Sequence, residues 1–218
     1  MNFIVERITD NIIYFVFPTT ELMCRTMLRF AEHFEGPKYR KRVFHLRQFK
    51  RWYSFYKGSF SYYSDWSGFN IPSSAFESFR NGSFDPLSFG EKDVLAELPT
   101  DGDFYVIATA EDADDVIRHE LAHACYYLVP DYKAKVTAVM NTLPGRNQAK
   151  MQILRMGYHH EVLDDELHAY AGDGIGTLLS TLKIRSCTSW IGVIKWILAG
   201  RKLNKILSQT INQMCEQG

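Results

Sequence analysis

The stretch Arg118-His119-Glu120-Leu121-Ala122-His123-Ala124 decides the organisation of this chain. It contains the pattern His-Glu-x-x-His, in which the two histidines are four positions apart. In an α-helix, residues at positions i and i+4 lie on the same face, so His119 and His123 can both direct a ring nitrogen at one metal ion. Glu120 follows the first histidine and can reach a water molecule at that metal. The pattern therefore predicts a metal site for hydrolysis, with two imidazole ligands, an open coordination position and a base.

The residues around this pattern indicate a helix that follows a strand. Phe104 to Thr109 are rich in β-branched and aromatic residues, which is typical of a strand. Acidic side chains suit a helix N-terminus because they complement the helix dipole. Four acidic residues stand between the strand and the histidines: Glu111, Asp112, Asp114 and Asp115. We therefore expect a strand, a short acidic turn and then the His-Glu-x-x-His helix.

This order of elements resembles that of the zincin metallopeptidases. In that family the strand before the site helix is usually the edge strand that holds an extended substrate. The resemblance implies an α+β fold, a mainly helical zincin-like domain with a small mixed sheet whose edge strand precedes the His-Glu-x-x-His helix. Tyr126 and Val129 stand where metzincins have a glycine and a third histidine, and these two residues exclude the metzincin arrangement.

A zinc hydrolase usually has three protein ligands, and the candidates for the third lie in residues 158–170. If this segment is helical, one stripe contains Val162, Leu163, Glu166, Ala169 and Tyr170, and the other side contains Glu161, Asp164, Asp165 and His168. A carboxylate among apolar neighbours is costly unless it is paired or bound to a metal, which favours Glu166 as the ligand. Two alternatives stay open, namely Glu161 or one of the histidines His159, His160 and His168.

The same segment carries a second resemblance. Asp165 to Tyr170 (Asp-Glu-Leu-His-Ala-Tyr) is similar to the Asn/Asp-Glu-x-x-Ala-Tyr stretch of gluzincin-type metallopeptidases, in which the Glu is the third zinc ligand. The likeness covers residues 104–172 and implies Glu166 as the ligand, with Asp165 or Asp164 hydrogen-bonded to a site histidine. The distance from His123 to Glu166, 43 positions, is longer than in the compact gluzincins. A rival alignment takes Glu161-x-x-x-Asp165 as the gluzincin Glu-x-x-x-Asp motif, with Glu161 as the ligand and Asp165 orienting a ligand histidine.

Length and composition predict a single domain over residues 1–218, and the resemblance implies that it is a zincin-like catalytic domain. Its parts would be an aromatic-rich N-terminal part (1–100), a metal-site core (104–172) and a helical C-terminal segment (175–218). The formal net charge is zero, so the chain as a whole offers no electrostatic case for binding nucleic acid. The apolar run Ile12 to Phe17 is too short to span a membrane, and no basic region precedes it. We therefore expect a cytoplasmic protein without a signal peptide or a transmembrane segment.

The C-terminal segment combines an apolar run with positive charge. Trp190 to Leu198 are mostly apolar, and residues 183–205 contain six basic residues and no acidic residue. Such a helix can contact a membrane surface or a protein through residues 190–205. The alternative is a helix that packs in the core and has a basic outer face.

These patterns predict zinc-dependent hydrolysis of a peptide or protein substrate. Zn²⁺ held by His119, His123 and Glu166 would activate a water molecule, and Glu120 would act as the general base. The donor that stabilises the oxyanion would come from Tyr158, His159, His160 or Tyr170. Two other functions stay open: a catalytically silent zincin-fold binding protein, and a metal-dependent hydrolase of a small amide or ester.

Overall fold

The computed structural model describes residues 3–111 and 114–217, and the chain divides into two compact units between Ile117 and Arg118. Each unit has a hydrophobic core of its own. The predicted single domain covers both units, and it stays a prediction. In the described ranges, no helix is both long enough and apolar enough to cross a membrane.

The first unit is built on a four-stranded mixed sheet. Its strands are β1 (Ile4–Thr9), β2 (Ile12–Phe17), β3 (Gly68–Pro72) and β4 (Tyr105–Ala110), and their order in the sheet is β1-β2-β4-β3. β1 pairs antiparallel with β2, β2 pairs parallel with β4, and β4 pairs antiparallel with β3. The sheet is therefore small and mixed, as the sequence predicts.

The strand before the His-Glu-x-x-His helix is β4, and its predicted position at the edge of the sheet is wrong. β4 lies between β2 and β3, and every one of its residues is buried. Its sequence, Tyr-Val-Ile-Ala-Thr-Ala, is nearly continuously apolar, which is typical of a strand that is covered on both faces. Both backbone edges of β4 are paired within the sheet, so this strand cannot add a substrate strand.

The helices described in the first unit are α1 (Thr20–Phe34), α2 (Leu46–Lys57), α3 (Tyr62–Asp65), α4 (Glu77–Arg80) and α5 (Phe89–Glu97). α1 begins where Thr19 accepts a hydrogen bond from the backbone N–H of Leu22 at 3.2 Å. α5 begins with a capping box between Ser88 and Glu91. Both starts satisfy backbone N–H groups that have no partner within the helix.

A buried ion pair joins α1 to α5. Arg29 donates hydrogen bonds to both carboxylate oxygens of Glu91, at 2.6 and 2.5 Å, and a further one to the backbone oxygen of Phe84 at 2.9 Å. Both side chains of the pair are buried. Because each charge depends on the other in the protein interior, loss of one partner leaves the other buried and uncompensated.

The second unit is helical. α6 (Asp114–Leu128) carries the His-Glu-x-x-His pattern, and from Arg118 onward it belongs to this unit. Of the acidic residues predicted at its start, Asp112 lies outside the described residues, as do the side chains of Asp114 and Asp115. The helices that follow are α7 (Pro130–Asn141), α8 (Arg146–Arg155), α9 (Leu163–Gly172), α10 (Ile175–Ser180), α11 (Ile184–Cys187) and α12 (Trp190–Gln217). With the mixed sheet of the first unit, this confirms the α+β prediction.

We predict that Arg29→Ala lowers the free energy of unfolding by about 3–5 kcal/mol, because it leaves Glu91 charged and buried. The matched control is Arg25→Ala on the same helix, which removes an exposed pair with Glu21 and a cation–π contact with Tyr63 and should cost under about 2 kcal/mol. Chemical denaturation of the two variants measures the difference. Equal denaturation midpoints would contradict a stabilising role for the buried pair.

Candidate metal centre

The two histidines of α6 lie one turn apart on the same face. The centroids of the His119 and His123 rings are 4.9 Å apart, and the rings meet edge to face. His123 is almost completely buried, and Glu120 is buried as well. The helix therefore presents two imidazoles and a carboxylate in a region that is largely closed to water.

Glu166 on α9 completes this group. The neighbouring residues Leu167, Ala169 and Ala171 pack into the core of the second unit and fix the orientation of the helix. Glu166 is buried too, with one carboxylate oxygen 3.7 Å from Nε2 of His123. His119, His123 and Glu166 each offer one ligand atom, and these three atoms lie within 4.8 Å of one another.

These three side chains fit a zinc ion. A tetrahedral zinc ion with ligands at about 2.1 Å has ligand atoms about 3.4 Å apart. The observed distance between Nε2 of His123 and Oε1 of Glu166 is close to this, at 3.7 Å. Nε2 of His123 and Oε2 of Glu166 are buried, and neither has a hydrogen-bond partner among the described residues. Buried polar atoms are rarely left without a partner, so these two atoms point to a ligand that both can bind.

Each of the two histidine rings is hydrogen-bonded through Nδ1 to a carboxylate. Nδ1 of His123 is 2.8 Å from Oδ1 of Asp165, and Nδ1 of His119 is 2.9 Å from Oδ2 of Asp173. In each case the carboxylate can accept a hydrogen bond from Nδ1–H, which leaves Nε2 as the ring nitrogen available to a cation. The predicted contact of Asp165 with a site histidine is confirmed. Asp164, the other acidic residue considered for that contact, pairs with Arg146 and Lys150 instead.

Asp173 is a site residue that the motifs of the sequence do not indicate. It is 54 positions from His119, at the C-terminal end of α9. The sequence does contain one signal for it, because Asp173 stands seven positions after Glu166, and seven residues make almost two helical turns. The pattern therefore puts both carboxylates on one side of α9.

The electrostatics of the group favour a cation. Burial alone would lower the pKa of His123, but the carboxylates of Asp165, Glu166 and Glu120 outweigh burial and hold this pKa well above its usual range. Burial raises the pKa of Glu166 to about 7, although the two histidines oppose that change. With Asp173, four carboxylates surround two imidazoles. A bound divalent cation would offset this excess of negative charge.

Two tyrosines and a third histidine border the group. The ring of Tyr170 packs against His119 with centroids 4.8 Å apart, and its hydroxyl is 2.8 Å from that of Tyr158. His168 stands two positions after Glu166, and the helical spacing places it on the side of α9 away from the stripe that carries Glu166. It is buried, stacked on Tyr126 with centroids 4.8 Å apart, and burial lowers its pKa to about 4.

The other candidates for the third ligand lie elsewhere. Glu161 groups with His159 and His160, whose ligand atoms also lie within 4.8 Å of one another, and this second group is partly or fully exposed. Glu161 precedes α9, in a short 3-10 turn over His160–Val162, and therefore does not share the inner face that carries Glu166. The geometry favours Glu166 over Glu161, His159 and His160.

We predict that Asp165→Ala and Asp173→Ala each weaken zinc binding by about 10- to 100-fold, because each removes the acceptor that orients a ligand histidine. The matched control is Asp164→Ala on α9, which removes a carboxylate that pairs away from the histidines. Competition with a fluorescent zinc chelator gives the dissociation constants. An effect of Asp164→Ala as large as that of Asp165→Ala would contradict a specific orienting role.

Comparisons with known proteins do not assign this chain to a family. No family model, no curated protein and no solved structure matches it. The resemblance to zincins stays a prediction from the quoted residues. A function for this chain is therefore argued from the geometry of the metal centre.

Proposed function

We propose that this protein is a zinc-dependent metallopeptidase whose metal ligands are His119, His123 and Glu166. The observation that carries the proposal is the convergence of these three side chains beside Glu120, with buried ligand atoms of His123 and Glu166 that have no partner among the described residues. Two imidazoles and one carboxylate are a donor set that catalytic zinc sites use.

The chemistry divides between the ion and the side chains. A zinc ion, when bound, lowers the pKa of a water ligand and polarises a carbonyl oxygen. Glu120 is buried and adjacent to the first histidine, and it would accept the proton of the attacking water and deliver it to the leaving amine. Asp165 and Asp173 would hold the two rings in the tautomer that leaves Nε2 available.

The hydroxyl pair of Tyr158 and Tyr170 is the best source of a further donor. Tyr170 lies against the ring of His119, and burial raises the pKa of its hydroxyl to about 12, so this group stays protonated at neutral pH. A protonated phenol can donate to oxygen that gains negative charge during hydrolysis. Tyr158 would orient that phenol through the hydrogen bond between the two hydroxyls.

The peptide substrate rests on the resemblance to zincins, whereas hydrolysis rests on the residues of the site. β4 has both edges paired and cannot hold an extended substrate in the way that the resemblance implies. Small amides and esters are therefore a second substrate class to be tested with the same preparation. If the protein binds zinc but hydrolyses neither peptides nor small amides and esters, it would be a binding protein.

We predict that Glu120→Gln retains zinc and lowers hydrolysis by about 100- to 10,000-fold, the usual contribution of a general base. The zinc-loaded protein and the variant are incubated with a peptide library and with model amides and esters, and the products are identified by mass spectrometry. Glu161→Gln is the matched control, since it changes an acidic residue outside the site and should leave turnover intact. Full turnover by Glu120→Gln would contradict the proposed role.

A further inference from the structure

The outer face of α12 has a composition that the metal centre does not explain. The opposite face of this helix is fixed in the core of the second unit by Val193, Trp196, Ala199, Leu203 and Leu207. The indole N–H of Trp196 also donates to the backbone oxygen of Pro144 at 2.9 Å. Because these contacts set the rotation of the helix about its axis, the residues on the other side stay in solvent.

Four large apolar side chains lie on that exposed side. Trp190 is 66% exposed, Ile191 70%, Ile194 54% and Leu198 55%. At the rise of an α-helix, about 1.5 Å per residue, they extend over about 12 Å of the surface. We call these four residues the outer apolar patch. Single exposed apolar residues are ordinary, but a contiguous group of them marks a surface that binds something.

Positive charge accompanies the outer apolar patch. At 100° per residue, Lys195, Arg201, Lys202 and Lys205 fall on the same side of α12 as the patch, and all four are exposed. The guanidinium of Arg185 lies over the ring of Trp190, 4.6 Å from its centroid. Residues 174–215 contain no acidic residue, although acidic and basic residues balance over the whole chain. From Trp190 to Lys205 this surface is therefore apolar and positively charged, and the one acidic residue described on α12, Glu216, lies near the end of the helix.

We propose that the outer face of α12 binds the surface of an anionic membrane. The four apolar side chains would enter the boundary between headgroups and acyl chains, and the four basic side chains would contact lipid phosphates and carboxylates. A nucleic acid would use the positive charge but would leave the two isoleucines and the leucine without an apolar environment. A membrane surface provides for both properties at once, with the helix lying parallel to it.

The test uses the full chain and two kinds of vesicle, phosphatidylcholine alone and phosphatidylcholine with phosphatidylserine. We expect the protein to co-float with the anionic vesicles and not with the neutral vesicles. Ile194→Ser/Leu198→Ser should weaken this binding roughly tenfold or more. Lys202→Gln/Lys205→Gln should weaken it by about 30-fold, since each basic residue near an anionic surface contributes about fivefold.

Matched controls come from the same unit. Met151→Ser/Leu154→Ser replaces two exposed apolar residues on α8, and Lys133→Gln/Lys135→Gln removes two charges from exposed residues on α7. Both should bind anionic vesicles as the wild type does, and circular dichroism checks that every variant is folded. The proposal is overturned if the wild type binds neither vesicle, if it binds both equally, or if the outer-face variants bind like the wild type. Binding to polyglutamate without binding to vesicles would indicate an acidic protein partner and would overturn it as well.

Discussion

A buried carboxylate raises the free energy of a folded protein unless a counter-charge or a set of hydrogen bonds compensates it. Glu166 is in this position in the second unit, on the inner face of α9 and beside two imidazoles. One of its oxygens and Nε2 of His123 have no hydrogen-bond partner among the described residues. A bound divalent cation would satisfy both atoms at once, and the proposed metal centre is built on that need.

The carboxylates that contact the two histidines, Asp165 and Asp173, reinforce this arrangement. Asp165 and Asp173 each accept a hydrogen bond from Nδ1 of one histidine, so Nε2 of each ring is left for the proposed metal ion. The carboxylates come from one helix, α9, and the histidines from another, α6. Packing of these helices in a common apolar core therefore sets the distances among the ligand atoms. His168 contributes to this packing through its contacts with Tyr126 and Tyr132, as a neutral core residue.

The sequence pattern predicts those features of the site that depend on spacing within one helix. The spacing of His119 and His123 accounts for their proximity, and the apolar neighbours of Glu166 along its helix indicate its burial from the order of amino acids alone. Contacts between distant segments are less accessible. Asp173 meets His119 across 54 positions, and β4 becomes a central strand only because residues 12–17 and 68–72 pair with its two edges. The burial of His168 depends in the same way on two tyrosines from α6 and α7, which its own helical spacing does not reveal.

The central claim is that Glu166 is the third ligand of a zinc ion held by α6 and α9. Elemental mass spectrometry of the wild type, Glu166→Ala and Glu161→Ala tests it most directly. The account predicts about one zinc ion per chain in the wild type and in Glu161→Ala, and a marked loss in Glu166→Ala. Equal zinc in Glu166→Ala and the wild type would contradict the assignment of Glu166. A wild-type chain that takes up no zinc after the metal is added back would contradict the metal centre itself.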